Sequence, residues 1–264
     1  MLCFKTKLLI TLACLVLAGL TGIYLIKQNH TPATPAVPTL TIGIATGYAP
    51  WVSLNAHGEY EGFDIDVARE LAKLLNRKLI FQDLGSMPTL LMALQQNQID
   101  AIMWGMSITP ERQHKMNLIH YQGAPETSYP LIFWEKLPEN FKSANDLVGQ
   151  TVCVEPGSSQ QHALNHYPSI HQLPVEKVDD ALLNIQYNKA IAALVEPAIA
   201  KKFQAKFPQI KTLDLPLPEQ EQAQGVGICL NKNSVELAQE INQAVKQLKN
   251  QGIISALEQK WGLT

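Results

Sequence analysis

Strand-like and helix-like segments alternate along the chain, and this alternation restricts the fold more than any other feature of the sequence. Residues 40–45 ("LTIGIA") have the short apolar run of a buried strand, and the apolar residues of 63–76 are spaced as on one face of a helix. Two further predicted strands, 78–84 and 99–106, enclose a second predicted helix at 87–98. This order predicts a parallel sheet with right-handed crossovers.

A second α/β set follows an irregular stretch at residues 122–129. Its predicted strands are 129–134, 151–156, 174–178 and 190–196, and its predicted helices are 143–149, 158–167 and 179–189. A last strand at 225–232 precedes one long amphipathic helix, 234–261. The apolar stripe of this helix predicts a surface that faces the core and consists of Leu237, Ile241, Val245 and Leu248.

These patterns predict an α/β protein of two lobes joined by two hinge crossovers. Residues 40–125 and 225–264 form the first lobe in this interpretation, and residues 126–224 form the second. Ligands of such sheets bind beyond the carboxyl ends of the strands. The segment 103–113 ("MWGMSITPERQ") lies at one such end, so we expect it to contribute to a binding site.

The N-terminus differs from the rest of the chain. Lys5 and Lys7 precede residues 8–26, which are apolar and carry no charge. This run is long enough to span a bilayer as a helix and longer than the roughly 7–15 apolar residues of most cleaved signal peptides. We expect residues 1–26 to be a signal anchor that holds Lys5 and Lys7 inside and the body outside the membrane. A cleaved signal peptide with secretion of the body, and a lipidated Cys14, are the alternatives.

The proline-rich residues 27–39 predict an extended spacer between this segment and the body. The net charge of −2 gives no electrostatic case for binding nucleic acid. Cys153 and Cys229 are expected to be free thiols on different lobes, because a disulfide between lobes would block their motion. His162 and His166 have a spacing that could bind zinc, but without further ligands we expect surface histidines, no metal and no cofactor.

Five segments resemble the polar amino-acid-binding proteins of bacterial ABC importers, and arginine-binding members most of all. They are "GYAPW", "GFDIDVARELAKLLN", "IDAIMWGMSITPERQ", "VEPGSSQ" and "LKNQGIISALEQKWG", and the resemblance extends over residues 40–264. It implies the type 2 periplasmic-binding fold, in which a solute is captured between two lobes. It also implies two partners, a free amino acid and an ABC permease.

The resemblance places several ligand-binding residues. Arg112 matches the arginine that binds the α-carboxylate of the ligand, for which a planar guanidinium is well suited. Glu196 matches the acid, commonly Asp, that binds the α-ammonium. Ser107 would add hydrogen-bond donors, and Gly105 would supply main-chain groups near the amine. A zwitterion that loses water needs both a cation and an anion, so this pair explains why a guanidinium follows an apolar strand.

The resemblance also implies a side-chain pocket. Tyr48 matches an aromatic residue that stacks on the ligand, and Met87 and Trp104 would line the same pocket. Ser158 and Ser159 precede a predicted helix, where backbone N–H groups favour an anion. Glu155 could pair with a cationic side chain. Relatives that bind cations often have an acid just before the stacking tyrosine, and its absence here argues against lysine or arginine. Glu155, and Trp104 as a face on which a guanidinium could stack, argue for a cationic side chain. A basic amino acid, preferably arginine, is therefore favoured, and a neutral polar or aromatic ligand stays open.

Each assignment has a structural alternative. Arg112 could lie on a helix surface, Ser107 and Thr109 could cap the following helix, and Glu196 could be a helix-start acid. Tyr48 could be a core aromatic residue. The whole protein could instead be a dehydratase on the same fold, with Glu155 or Glu196 as general acid, or an anchored amino-acid sensor.

Overall fold

The computed structural model describes residues 37–139, 141, 143–219 and 222–264, and Thr39–Thr264 forms one unit with two main β-sheets. The predicted anchor at 1–26 and most of the predicted spacer lie outside the described residues. Within the described part of the chain, no helix combines the length and the apolar character that a membrane crossing needs.

The first sheet has the strand order β4-β1-β5-β12-β6. Its strands are β1 (Thr39–Ile44), β4 (Lys78–Asp83), β5 (Ala101–Ile102), β6 (Met116–Gln122) and β12 (Val226–Asn231), and a separate hairpin pairs β2 (Ser53–Leu54) with β3 (Tyr60–Glu61). β1 runs parallel to β4 and β5, as the alternation predicts, but β12 runs antiparallel to β5 and β6. The sheet is therefore mixed, and the prediction of a parallel sheet is correct only for β1, β4 and β5.

The helices of this lobe follow the predicted order with one correction. They are α1 (Phe63–Leu74), α2 (Met87–Gln95), α3 (Pro110–Lys115), α7 (Val235–Asn250) and α8 (Ile253–Trp261). The single terminal helix predicted at 234–261 is wrong, because Gly252 takes a left-handed conformation with φ of 73° and separates α7 from α8. The core-facing stripe is confirmed: Ile241, Val245 and Leu248 are buried, and Leu237 is partly buried against the core.

The second sheet has the order β11-β7-β10-β8-β9. Its strands are β7 (Ser128–Trp134), β8 (Thr151–Val154), β9 (His171–Pro174), β10 (Ala192–Leu194) and β11 (Ile210–Pro216), and its helices are α4 (Ser159–Leu164), α5 (Val178–Gln186) and α6 (Pro197–Lys206). The segment predicted as a helix at 143–149 is a 3-10 helix at Ala144–Leu147, capped by Ser143. The two sheets and their helices form the two lobes.

The structure differs from the predicted elements at three further points. The strand predicted at 174–178 is wrong, because the strand lies at His171–Pro174 and pairs there in parallel with Thr151–Val154. The strand predicted at 99–106 shortens to Ala101–Ile102, since Gly105 turns the chain with φ of 58°. β6, α6 and β11 have no counterpart among the predicted elements.

Two chain segments connect the lobes side by side. The first follows β6 and leads to β7, and the second follows β11 and leads to β12. The backbone N–H of Glu126 in the first segment donates to the carbonyl of Ala223 in the second, at 2.8 Å. The lobe boundaries at 125/126 and 224/225 stay a prediction, but this contact places the polar residues of both segments next to each other.

Cys153 lies on β8 and Cys229 on β12, so the two buried free thiols are on different sheets. Burial raises the pKa of Cys153 to about 11 and that of Cys229 to about 12, against the weaker lowering effect of the Arg112 charge on Cys229. Both sulfurs therefore stay protonated at neutral pH, as inert structural cysteines do.

Candidate functional site

The guanidinium of Arg112 lies buried where the two lobes meet. Thr109 caps α3 by accepting a hydrogen bond from the Arg112 N–H, which confirms the capping alternative for Thr109 and fixes the start of the helix. One guanidinium nitrogen of Arg112 donates to the Ser107 carbonyl at 2.9 Å and the other to the Gly157 carbonyl at 3.1 Å. These bonds use two of its five N–H donors, and both acceptors are uncharged. The helix-surface alternative for Arg112 is wrong, because the residue is 7% exposed.

Glu196 provides a buried carboxylate on the second lobe. It occupies the N-cap position of α6, directly before Pro197, but its side chain makes no capping bond. Its Oε1 instead accepts hydrogen bonds from Ser107 Oγ at 2.8 Å and from Gln160 Nε2 at 2.7 Å. Burial raises the pKa of Glu196, against the lowering effect of these two bonds and of the Arg112 charge. The carboxylate therefore points away from its own helix and toward the first lobe.

Ser107 and Ser159 complete the contact between the lobes. The hydroxyl of Ser159, the first residue of α4, lies 3.3 Å from the hydroxyl of Ser107. Ser158 is engaged differently, because its hydroxyl caps α4 by accepting from the Gln161 N–H and donates to the Glu155 carbonyl. The structure thus brings Ser107, Arg112, Ser159 and Glu196 into one hydrogen-bonded cluster, while the Ser158 hydroxyl serves the helix.

Two aromatic residues of the first lobe pack together, and one of them, Tyr48, lines a cavity with Glu196. Tyr48 and Trp104 are both buried, and their rings lie 4.9 Å apart at an angle of 48°. Trp51 packs edge-on against Phe63 in the core. Met87 is buried beside Gly157, with its Cγ 3.3 Å from the position that a Cβ on Gly157 would take. Met87 therefore lies at the contact between lobes.

Gly105 is held by a buried acid. Its backbone N–H donates to Asp64 Oδ2 at 2.7 Å, and the other oxygen of Asp64 accepts from the Tyr121 hydroxyl. Burial raises the pKa of Asp64 to about 7, although both bonds oppose the shift. A Cβ at Gly105 would lie 2.9 Å from the Trp51 ring, so this turn requires glycine. The Gly105 N–H is already bonded, which leaves its carbonyl as the main-chain group that could face a ligand amine.

Glu155 presents a second, partly buried carboxyl directly after β8. Its Oε1 is inaccessible to solvent and has no hydrogen-bond partner among the described residues. Burial and then the charge of Glu196 raise the pKa of Glu155 to about 8, against the lowering effect of Arg112. Glu155, Glu196 and Tyr48 line a small cavity of about 10 Å³, whose other walls include Val175, Val178 and Ala181 of the second lobe. Two acids in a cavity whose other walls are largely apolar favour a cationic group between them.

Two further residues of the site are missing from the sequence-based set. Gln160 follows Ser159 in the quoted "VEPGSSQ" segment and binds Glu196, so its motif contained the signal. Glu126 lies in a segment without periodicity, and burial and then the Glu196 charge raise the pKa of its carboxyl to about 9. No local pattern marks Glu126.

Comparison with known proteins agrees with this architecture. Residues 40–264 match the model of the bacterial extracellular solute-binding proteins, family 3. The "Probable ABC transporter arginine-binding protein ArtJ" of Chlamydia trachomatis is 32% identical over 222 residues, which cover 84% of this chain and 85% of that protein.

Solved structures show the same likeness. A mutant of ArgBP from T. maritima superposes with a TM-score of 0.75 at 28% identity, covering 86% of this chain and 96% of that one. An ancestral amino acid-binding protein, described as a precursor of cyclohexadienyl dehydratase, superposes with a TM-score of 0.73 at 27% identity, covering 84% of this chain and 95% of that one. With the family model matched along the whole body, the chain belongs to the bacterial extracellular solute-binding proteins, family 3.

Proposed function

We propose that this protein captures a basic amino acid, with arginine preferred, between its lobes and delivers it to an ABC permease. The observation that carries the proposal is the meeting of Arg112 and Glu196 across the lobes, with the unpaired Glu155 carboxyl nearby. Arg112 would bind the α-carboxylate, Glu196 the α-ammonium, and Glu155 the guanidinium of the ligand. The arginine-binding proteins among the relatives support the same ligand.

The aromatic pair adds to this interpretation. The faces of Tyr48 and Trp104 could stack on a planar guanidinium by cation–π contact. The remaining predicted residues would act in support: Ser107 and Ser159 would orient the charged groups, Ser158 would hold α4, and Met87 and Gly105 would close the walls. A periplasmic location and a tether to the inner membrane through residues 1–26 belong to the same proposal.

Isothermal titration calorimetry of the purified protein against each of the common amino acids tests the proposal. We expect arginine to bind most tightly and lysine next, with acidic amino acids giving no heat of binding. A preference for a neutral or acidic amino acid would contradict the basic-ligand assignment, and no binding of any amino acid would contradict the receptor function.

A dehydratase is the second candidate, because one structural neighbour is described as a precursor of such an enzyme and because the pKa of Glu155 is about 8. A carboxyl that stays protonated at neutral pH can serve as a general acid. An assay for product formation from prephenate-like cyclic acids separates the two candidates. We expect no product, since a dicarboxylate would need a second cation where the cleft offers further carboxyls.

A further inference from the structure

A cavity of about 220 Å³ adjoins Arg112 and is separate from the small cavity that Glu155 and Glu196 line. Its walls come from α2, α3, the start of β6 and the end of β12, and Gly157 of the second lobe completes them. The two cavities have no lining residue in common. A ligand of the larger cavity can therefore contact both lobes without occupying the small one.

Part of the wall of this larger cavity is apolar. Leu91 and Leu94 of α2 and Met116 at the start of β6 line it, and all three belong to the hydrophobic core or pack against it. Leu94 is buried, but Leu91 and Met116 are only partly buried. An apolar group in the cavity would cover their remaining surface, which is favourable because apolar surface leaves water.

Another part of the wall is cationic. The side chains of Arg112, Lys115 and Lys232 line the cavity, together with one carboxylate, that of Glu111. Both oxygens of this carboxylate are already engaged, one by Lys115 Nζ and the other by His162 Nδ1 at 3.1 Å. The described lining therefore carries an excess of positive charge, which favours an anion.

The hydrogen bonds of two of these cations go to uncharged groups. Arg112 donates to the carbonyls of Ser107 and Gly157, and Lys232 Nζ donates to the Gln113 carbonyl at 2.9 Å. These bonds leave both charges unneutralised and further N–H donors available. Burial of an uncompensated charge is costly, and Arg112 is 7% exposed, so an anion in this cavity would be stabilising.

We propose that this cavity is a second binding site, which takes a small carboxylate with a short apolar chain. Arg112 and Lys232 bind the carboxylate through charge-assisted hydrogen bonds, and the chain packs on Leu91, Leu94 and Met116. A largely apolar cavity with a few converging polar groups is the usual form of a small-molecule site. This site goes beyond the proposed capture of an amino acid and does not depend on it.

The experiment measures the binding of hexanoate to the full-length protein by calorimetry at low ionic strength. Acetate, which keeps only the carboxylate, and hexanamide, which keeps the chain without a charge, are the comparison probes. Lys232→Gln removes a cation from the wall, and Leu91→Trp fills the apolar part. Lys78→Gln and Met92→Trp are the matched controls, because Lys78 is an exposed lysine on β4 and Met92 is an exposed residue of α2 beside Leu91.

We expect wild type to bind hexanoate with a Kd on the order of 1 mM, and acetate and hexanamide about tenfold more weakly or worse. Lys232→Gln should weaken hexanoate binding by about five- to tenfold, and Lys232→Arg, which keeps the charge, should bind within about twofold of wild type. Leu91→Trp should abolish measurable binding, because the indole occupies the place of the chain. Both controls should bind hexanoate as wild type does.

Three results would overturn the inference: no binding of hexanoate to wild type, acetate binding as tight as that of hexanoate, or wild-type hexanoate affinity in Lys232→Gln and Leu91→Trp. The last result would mean that the carboxylate binds elsewhere, such as in the amino-acid cleft. Thermal unfolding shows whether each variant is folded, and if Leu91→Trp is not, Lys232→Gln and Lys232→Arg decide. A protein that bound hexanoate at this site but no amino acid would contradict the proposed function alone.

Discussion

Arg112 illustrates how one residue can hold a cleft together and still be available to a ligand. Both of its observed bonds go to backbone carbonyls, one in each lobe, and neither neutralises its charge. A carboxylate that replaced or joined these carbonyls would form stronger, charge-assisted bonds. At the scale of single residues, the site thus contains charged groups that are not fully neutralised by groups of opposite charge.

Arg112→Ala should abolish measurable arginine binding while the protein stays folded. Removing one member of a buried charged pair costs about 3–5 kcal/mol, which is more than a hundredfold in affinity. Calorimetry gives the affinity and thermal unfolding gives the fold. Arg69→Ala is the control, since Arg69 is an exposed arginine on α1. Wild-type affinity in Arg112→Ala would contradict the assigned position of the α-carboxylate.

Glu155→Gln should lower the affinity for arginine by about tenfold or more and leave that for glutamine nearly unchanged. The buried Glu155 carboxyl has no partner on its Oε1, so it gains most from a cationic side chain. Competition among arginine, lysine, glutamine and phenylalanine measures the change, with the exposed Glu176→Gln as control. If Glu155→Gln binds arginine as tightly as wild type does, Glu155 does not face the ligand side chain.

Helix termini and connecting segments position the site at the scale of elements. α3 and α4, one from each lobe, begin at caps made by Thr109 and Ser158. The Glu111 carboxylate on α3 lies 3.1 Å from His162 Nδ1 on α4. These short helices therefore carry the contacts that join the lobes, and the connecting segments set how the lobes approach.

Gly225→Ala, in the second connecting segment, should destabilise the protein more than Gly252→Ala. Both glycines have positive φ, 81° and 73°, which is strained for alanine by about 1–2 kcal/mol. A Cβ at Gly225 would also lie 2.7 Å from the Gln122 carbonyl oxygen and 2.8 Å from that of Gly123, whereas nothing lies within 4 Å at Gly252. We therefore expect about 2–5 kcal/mol for Gly225→Ala, including the overpacking term.

Urea denaturation of both alanine variants measures this difference in the free energy of unfolding. Gly252→Ala is the matched control, because it adds the same strain without a clash. Equal losses in the two variants would mean that the connecting segments can separate without affecting stability.

The whole cleft holds an excess of acids. The charge of the buried Arg112 guanidinium lowers the pKa of both Glu155 and Glu196, yet burial raises the pKa of Glu155 to about 8, and it raises that of Glu126 to about 9. Because these values exceed the ordinary glutamate pKa of about 4.5, the closed form binds protons. The contribution of these carboxyls to the stability of the closed form is fully present below about pH 4.5. This contribution is lost as the pH rises through about 8–9. A bound cation opposes this loss.

Arginine binding should therefore release protons at pH 7, and the affinity should rise between about pH 6 and pH 9. The ligand cation favours the ionised carboxylates, so binding and deprotonation are linked. Calorimetry in buffers of low and high ionisation enthalpy measures the number of protons released. Binding heats that do not depend on the buffer would contradict the linkage.

The local sequence was enough to predict those helices and strands whose apolar residues recur with a regular spacing. The stripe on α7 and the order of β1, α1, β4 and α2 follow from apolar spacing. The break at Gly252 also had a local signal, since glycine favours helix ends. The predicted site residues Arg112 and Glu196 came from motif resemblance, which depends on neighbours along the chain.

The tertiary structure determined which strands and residues that are distant in the sequence lie next to each other. The antiparallel insertion of β12 between β5 and β6 depends on long-range strand pairing, which the periodicity of one strand cannot specify. The bond from Ser107 to Glu196 joins residues 89 positions apart, and burial raises the pKa of Glu126 in a segment with no pattern of its own. The sequence alone determined which side chains can carry a charge. The tertiary structure determined which of these charged groups are buried without a partner, because burial and distance between residues of the two lobes arise only when the lobes meet.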